Sequence, residues 1–165
     1  MKRLLLVLLS CLLMAALLLC TACAPNKNGG IQVAETYLKH LINKEYAAAY
    51  DLLSDYDKSN IDQATFVKWK EQVAQIITIK SATIDPSVDR FKNYKYQGTT
   101  IGYALGLKIS RDQEVKIAGI DLDGYNTPTY RQMVVYEKGQ WKMLLLLTKL
   151  NETVAQYQAL LDKKK

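Results

Sequence analysis

The sequence predicts an α+β domain in which amino-terminal helices pack over a curved antiparallel sheet, with an additional helix at the carboxyl end. Two changes of pattern along the chain predict this class. Apolar residues recur at helical spacing from residue 31 to about residue 75, and from Ile76 onward they alternate with a period of two among β-branched residues. Because the helices come first and the strands follow, the order argues against a doubly wound parallel sheet.

Three helices are expected before the strands. The apolar residues of segment 31–53 form two helical faces, which a charged break at 43–45 separates. The first face is Ile31, Ala34, Leu38 and Leu41, and the second is Tyr46, Ala47, Tyr50 and Leu53. After a polar, turn-rich stretch at 54–60, Asp62 is placed to cap a third helix of about residues 63–75, and Ile61 and Phe66 form a hydrophobic staple across that cap. The inward face of the third helix is expected to carry Phe66, Trp69 or Lys70, Val73 and Ile76, with Lys68, Glu71 and Gln72 outside.

The strands are expected to begin at Ile76. The first strand ends at Asp85-Pro86-Ser87, and an irregular stretch with Tyr94 and Tyr96 follows. Segment 99–110 is the clearest strand, with large residues on one face and small residues on the other. The large face is Ile101, Tyr103, Leu105, Leu107 and Ile109, and the small face is Gly102, Ala104 and Gly106. Glycines inside a strand predict a bend or a close approach of another element.

The remaining strands are expected at 114–123, 129–137 and 141–148. The last two form a hairpin around a turn at Lys138 and Gly139. A closing helix at about 152–161 is predicted, with Asn151 as its N-cap.

Residues 1–22 have the layout of an export signal. Lys2 and Arg3 precede an apolar run over residues 4–19. A retained membrane span is the weaker interpretation, because small and turn-forming residues follow the run instead of a basic flank.

Cys23 is predicted to be the lipid-modified mature N-terminus. The small residues that end at Ala22 resemble the cleavage site of a lipoprotein signal. Cleavage before Cys20 would place Leu19 at the scissile bond, which the requirement for small residues disfavours. Cleavage without lipid and an uncleaved anchor are the alternatives.

The chain is therefore divided into three parts: a lipoprotein signal peptide at 1–22, a lipidated tether at 23–30 and a single α+β domain at 31–165. Segment 25–30 is the linker of the tether, and six extended residues reach only about 20 Å. The expected location is the extracytoplasmic face of the cell membrane, with the domain close to the lipid.

The cysteines and the charge exclude several functions. Cys11 and Cys20 leave with the signal and Cys23 is blocked, so neither a disulfide nor a cysteine-ligated metal is expected. The net charge of +6 falls to about +4 when Lys2 and Arg3 leave, and the 16 acidic residues are interleaved with the basic ones. This pattern does not favour nucleic-acid binding, although a modest attraction to anionic lipid or wall polymer is expected.

Two stretches of the chain resemble the nuclear transport factor 2-like superfamily, in which a helical layer closes over a curved sheet to form a cone. The first comprises 34–38 and 43–54 with Phe66 opening the third helix, and the second is 134–143. Small lipoproteins of Firmicutes and the non-catalytic amino-terminal domain of the methicillin-resistance penicillin-binding protein are similar in this way. The resemblance implies the cone over about residues 34–148 and a Gram-positive host.

Enzymes of that superfamily place Asp, His or Tyr inside the cone, and this chain offers few candidates. His40 is the single histidine, and its position on the first helix indicates a boundary residue. Tyr103 and Asp121 are the possible cavity-facing or ligand-facing residues, although core packing and turn formation explain them more simply. The segment Asp121-Leu122-Asp123-Gly124 resembles only the start of a calcium loop. We assign no catalytic residue, metal ligand or cofactor.

The sequence thus predicts a non-catalytic binding or protein-interaction module, held to the membrane by its lipid, with an envelope protein or wall polymer as partner. The alternative is a small apolar-ligand carrier or an enzyme that uses a polar residue inside the cone. A third hypothesis is a spacer in a larger envelope assembly, which predicts an exposed apolar patch. A filled interior favours the first hypothesis, and an open pocket of several hundred Å³ favours the second.

Overall fold

A computed structural model describes residues 25–96, 98–117, 120–121, 128–147 and Ala155, and the side chains of 117, 120 and 121 are not described. The helices are α1 (Lys27–Ile42), α2 (Tyr46–Asp51), α3 (Asp55–Asn60) and α4 (Gln63–Ala74). The strands are β1 (Ile77–Tyr96), β2 (Thr99–Ile117), β3 (Ile120–Asp121), β4 (Thr129–Glu137) and β5 (Gln140–Leu144). They form an antiparallel sheet in the order β1-β2-β4-β5, with β3 paired to β2. The predicted α+β order is confirmed, whereas the closing helix at 152–161 lies outside the described residues except for Ala155, which is helical.

Helix α1 begins earlier than the sequence predicted. The side chain of Asn26 accepts a hydrogen bond from the Asn28 backbone N–H at 3.1 Å and caps the helix, so that Gly29 and Gly30 lie within it. The prediction of a linker at 25–30 is therefore wrong for residues 27–30. The two glycines are needed because they lie against other side chains: an added Cβ would be 2.7 Å from Trp141 at Gly29 and 2.6 Å from Leu105 at Gly30.

Helices α3 and α4 each begin directly after a residue whose side chain caps the helix. Asp62 accepts from the Thr65 N–H at 2.7 Å and caps α4, as predicted. The stretch at 54–60 was predicted to be a turn, but it forms α3 because Ser54 caps it. Gln72 is buried rather than outside, which corrects the predicted face of α4.

Strand β1 continues through Asp85-Pro86-Ser87, so the predicted end at this point is wrong. The register against β2 shifts between Ile84 and Val88. Both the backbone N–H and the hydroxyl of Ser87 donate to Asp85 Oδ1. Proline is tolerated here because β1 is an edge strand and a bulge removes the need for a ladder hydrogen bond.

Strand β2 bends at Gly102, as its glycines predicted. Gly102 has a φ of +87°, and the register shifts opposite it, between Phe91 and Tyr94. The bend moves Ile101 to the face of Ala104, so the prediction that Ile101 shares a face with Leu105 is wrong. The predicted hairpin of β4 and β5 is confirmed, with positive φ at both residues of its turn, Lys138 and Gly139.

The main core lies between the helices and the inner face of the sheet. Its buried residues are Ala34, Tyr37, Leu38, Leu41, Ala49, Leu53, Ile61, Phe66, Leu105, Leu107, Ile109, Val134 and Met143. A smaller cluster on the other face consists of Ala104, Val135 and Leu144 with partly buried neighbours. The alternation along β2 and β4 separates these two clusters.

Candidate ligand-binding cleft

The structure places the predicted site residues apart from one another. Tyr103 is partly buried near the start of β2, where its ring meets the edge of Trp141 at a centroid distance of 5.8 Å. Asp121 pairs with Lys116 near the end of β2, and its side chain is not described. Cys23 lies outside the described residues. A ligand-facing role for Tyr103 or Asp121 stays a prediction.

His40 is a boundary residue, as its position on the helix predicted. Its Nδ1 lies 2.6 Å from Glu45 Oε2 across the joint between α1 and α2. This hydrogen bond lowers the pKa of the Glu45 carboxyl group.

The helices join strand β5 along a region that we call the β5 seam, defined as residues 26–30, 52–57 and 141–147. The Ser54 backbone N–H donates to the Met143 carbonyl at 2.7 Å, and the Met143 N–H donates to the Leu52 carbonyl at 2.9 Å. The indole Nε1 of Trp141 donates to the Asn26 carbonyl at 3.0 Å. Backbone and side-chain donors therefore fix the chain before α1 and the chain before α3 to the same strand.

A buried carboxylate holds the chain after β5. Asp57 is fully buried, and it accepts from the Leu145 N–H at 2.7 Å, the Leu147 N–H at 3.0 Å and the Ser54 hydroxyl at 2.9 Å. Burial raises the pKa of Asp57, and these hydrogen bonds oppose the rise. Leu146, between the two donors, has a φ of +58°, a conformation that a non-glycine residue adopts only when its surroundings hold it.

The polar, turn-rich composition of segment 54–60 does not predict a buried residue, so sequence reasoning misses Asp57. The available signal was Ser54 followed three residues later by an acid, which is the pattern of a capping box. The Asp57 N–H indeed donates to the Ser54 hydroxyl oxygen at 3.1 Å.

A second region lies where α1, α2 and α4 meet the beginning of β1, and we call it the cationic cleft. Its volume is about 60 Å³. Its lining residues are Leu41, Ile42, Lys44, Tyr46, Lys70, Val73, Ala74, Ile77, Thr78, Ile79 and Arg111. Three of these side chains are cations and none is an acid.

Lys70 extends from α4 over aromatic rings. Its Nζ lies 3.9 Å from the ring centroid of Trp69, 5.3 Å from that of Phe66 and 6.0 Å from that of Tyr37. Such cation–π contacts compensate only partly for lost water. Burial and, to a smaller extent, the nearby charge of Arg111 lower the pKa of Lys70 to about 7. The sequence predicted that Trp69 or Lys70 faces inward, but it did not indicate that a second cation, Arg111, lines the same cleft.

Arg111 reaches the cleft from β2. Its guanidinium carbon lies 4.7 Å from the ring centroid of Tyr130, which is a cation–π contact. Its Nε is buried and has no hydrogen-bond partner among the described residues. Among the residues that the structure describes, neither Lys70 nor Arg111 forms an ion pair.

A larger groove of about 440 Å³ runs between α1 and β1 and is open to solvent. Its lining residues are Glu35, Leu38, Lys39, Ile42, Ala82, Thr83 and Ile84. It contains one cation, Lys39, and one acid, Glu35, so its charges are balanced, in contrast to the cationic cleft.

A family model described as an NTF2-like N-terminal transpeptidase domain matches residues 31–145, which is more than half of the chain. No curated protein matches the chain. None of the helices in the described part of the chain has the length and apolar character required to cross a membrane. The described residues also contain no group of three or more His, Cys, Asp or Glu side chains that could hold a metal ion.

Proposed function

The chain belongs to the family of NTF2-like N-terminal transpeptidase domains, and from this premise we propose that it is a membrane-anchored extracytoplasmic lipoprotein whose domain is a non-catalytic binding or protein-interaction module at the cell envelope. The family match confirms the NTF2-like domain that the sequence predicted. The lipid anchor, the Firmicutes relationship and the envelope partner are parts of the proposal.

The observation that carries the binding role is the filled interior of the domain. Phe66, Leu105, Leu107, Ile109 and Val134 occupy the space between helices and sheet with no exposed surface. The cleft that remains at the edge of this core is about 60 Å³, and the groove of about 440 Å³ between α1 and β1 is open to solvent, whereas a small-molecule substrate is enclosed by sites of about 300–1,000 Å³. This difference supports recognition of a chemical group on a larger partner over enclosure of a whole substrate.

The anchor is supported by the sequence at Cys23 and by the position of α1. Only three residues separate Cys23 from Lys27, where α1 begins, and three extended residues span about 10 Å. Asn26 is tied to Trp141 on β5. A lipid on Cys23 would therefore hold the β5 seam close to the membrane surface.

Replacement of the lipidated cysteine tests the anchor. We expect Cys23→Ser to abolish palmitate incorporation and to move the protein from the membrane fraction to the medium. Cys20→Ser is the matched control, because it removes a thiol three residues away that leaves with the signal, and it should stay in the membrane fraction. Unchanged membrane retention of Cys23→Ser, with the N-terminus still at Met1, would refute the lipoprotein assignment.

The interaction role is tested by affinity capture of the tethered protein from cross-linked membranes. We expect an envelope protein or a wall polymer to be enriched over a capture with an unrelated lipoprotein. The Lys70→Met/Arg111→Met double variant provides a second comparison, because it changes the cleft and leaves the anchor intact. Recovery of nothing above background would count against an interaction module.

A further inference from the structure

We propose that the cationic cleft is a binding site for an organic carboxylate that carries a short apolar group. The inference deepens the proposed function, since it names the chemical class that the binding module recognises. It depends on the domain being a binding module and is independent of the lipid anchor.

The charges of the cleft favour the binding of an anion. Lys44, Lys70 and Arg111 line it without any acidic side chain. The ammonium of Lys70 and the guanidinium of Arg111 are close enough for the second to disfavour protonation of the first. An anion between them would convert this repulsion into two attractions in a partly desolvated place, where Coulomb interactions are stronger than in water.

The hydrogen-bonding capacity of Arg111 selects the shape of the anion. A guanidinium presents N–H groups in a rigid fork that matches the two oxygens of a carboxylate. The cation–π contact with Tyr130 helps to hold the guanidinium at the cleft. The buried Nε has no hydrogen-bond partner among the described residues, and a buried donor of this kind is unusual in a folded protein unless a ligand or water satisfies it.

The remaining walls of the cleft select the rest of the ligand. Six of the lining side chains are apolar: Leu41, Ile42, Val73, Ala74, Ile77 and Ile79. The volume of about 60 Å³ exceeds what a single water molecule needs and accommodates a carboxylate and the first carbons attached to it. Apolar walls do not replace the water that a fully ionised inorganic phosphate would lose, so they favour the organic anion.

Calorimetric titration of the full chain in a non-ionic detergent at mildly acidic pH, where Lys70 is protonated, tests the proposal. Butyrate is the probe, butyramide is its uncharged isostere, and inorganic phosphate is the polar anion. We expect butyrate to bind at least about tenfold more tightly than butyramide, because only the carboxylate forms charge-assisted hydrogen bonds. Equal affinity for butyrate and butyramide would overturn the proposal, and tighter binding of phosphate would overturn its organic part.

Variants locate the site. Lys70→Met and Arg111→Met should each weaken butyrate binding about tenfold or more, since each removes one charged donor. Arg111→Lys should retain part of the affinity because it keeps the charge. Arg90→Met is the matched control, as Arg90 is an exposed cation of β1 outside the cleft. A loss in Arg90→Met equal to that in Arg111→Met would show only a general effect of net charge and would contradict the site.

Fluorescence separates loss of binding from loss of folding. The chain has two tryptophans, and in a Trp141→Phe background the signal comes from Trp69, whose ring contacts Lys70 Nζ. Butyrate should shift this emission, and the additional Lys70→Met change should abolish the shift while the far-ultraviolet circular dichroism stays unchanged. A shift that persists with Lys70→Met would overturn the assignment. A failure of butyrate to bind would not alter the fractionation of Cys23→Ser, so the two proposals fail separately.

Discussion

The β5 seam and the cationic cleft both join the helices to the sheet, but they satisfy their polar groups in opposite ways. In the seam, the Asp57 carboxylate accepts three hydrogen bonds and the Trp141 indole donates one. In the cleft, Arg111 keeps a buried Nε without a partner among the described residues, and Lys70 faces aromatic rings. Since folded proteins satisfy nearly all buried polar groups, an unsatisfied donor beside a cleft is a position that a ligand or water can complete. The comparison indicates that the seam stabilises the fold, whereas the cleft keeps donors available for a ligand.

The largest expected effect is the loss of the carboxylate in the seam. Asp57→Ala should lower the free energy of unfolding by about 3–5 kcal/mol, because it leaves the N–H groups of Leu145 and Leu147 without their acceptor in a buried place. Urea unfolding monitored by circular dichroism measures this loss. A loss of less than about 1 kcal/mol would mean that the seam does not depend on Asp57.

A smaller loss is expected from overpacking the same seam. Gly30→Ala places a Cβ 2.6 Å from Leu105 and 3.2 Å from Val134, both fully buried. We expect a destabilisation of about 1–3 kcal/mol, even though alanine favours helix more than glycine does by about 1 kcal/mol. Gly106→Ala is the comparison, since its nearest neighbours are at ordinary contact distances of 3.4–3.5 Å. Thermal unfolding in which both variants are equally stable would contradict the tight packing at Gly30.

Substitution in the cleft should have the opposite effect on stability, because removal of a desolvated cation there should stabilise the domain. The pKa of Lys70 is about 7 in the folded protein and 10.5 without burial, so between these pH values the unfolded chain binds more protons. Stability should therefore rise with pH across this window. Lys70→Met should remove this rise and should stabilise the domain near pH 7 by on the order of 1–2 kcal/mol.

Unfolding in urea at several pH values measures this slope. Lys68→Met is the control, because Lys68 is an exposed lysine of the same helix and should leave the slope unchanged. Tyr37 and Tyr130 also lie near Arg111, but burial raises the pKa of both phenols, so they add little near neutral pH. If Lys70→Met and the unmodified chain shared the same slope, Lys70 would not be the desolvated cation of the cleft.

The smallest effect is expected at the surface of the seam. Asp55 lies two residues before Asp57, and its carboxylate pairs with Lys138 at 2.6 Å while both side chains are largely exposed. Asp55→Asn should change the free energy of unfolding by less than about 1 kcal/mol, because solvent screens such pairs. Denaturation side by side with Asp57→Ala measures the contrast. A similar cost for both changes would show that surface charge, rather than the buried network, holds the seam.

The sequence predicted most of the fold because the relevant signals are local. The helical faces around Leu38 and Phe66, the cap at Asp62 and the hairpin turn at Lys138 and Gly139 each depend on residues that are close in the chain. It failed where a distant partner decides the structure. Strand β1 continues past Pro86 because β2 pairs with both sides of the bulge.

The candidate site was less accessible to sequence reasoning than the fold. Lys70 and Arg111 are far apart in the chain and belong to a helix and a strand, so no spacing rule connects them. Tyr103 and Asp121 stand out locally in the sequence, but the structure places Tyr103 near the start of β2 and Asp121 on β3, paired with the end of β2. The charge balance around a cleft can be assessed only when the fold shows which residues line it.

The most direct test of this account is the free energy of unfolding of the full chain with and without saturating butyrate, at a mildly acidic pH. A ligand that binds only the folded state stabilises it by RT ln(1 + L/Kd), where L is the free ligand concentration, so the effect grows with the ligand concentration relative to Kd. The account predicts that butyrate stabilises the unmodified chain and Asp55→Asn equally, and that it has no effect on Lys70→Met/Arg111→Met. Equal stabilisation of that double variant, or no stabilisation of the unmodified chain, would contradict the assignment of the cleft as a carboxylate site.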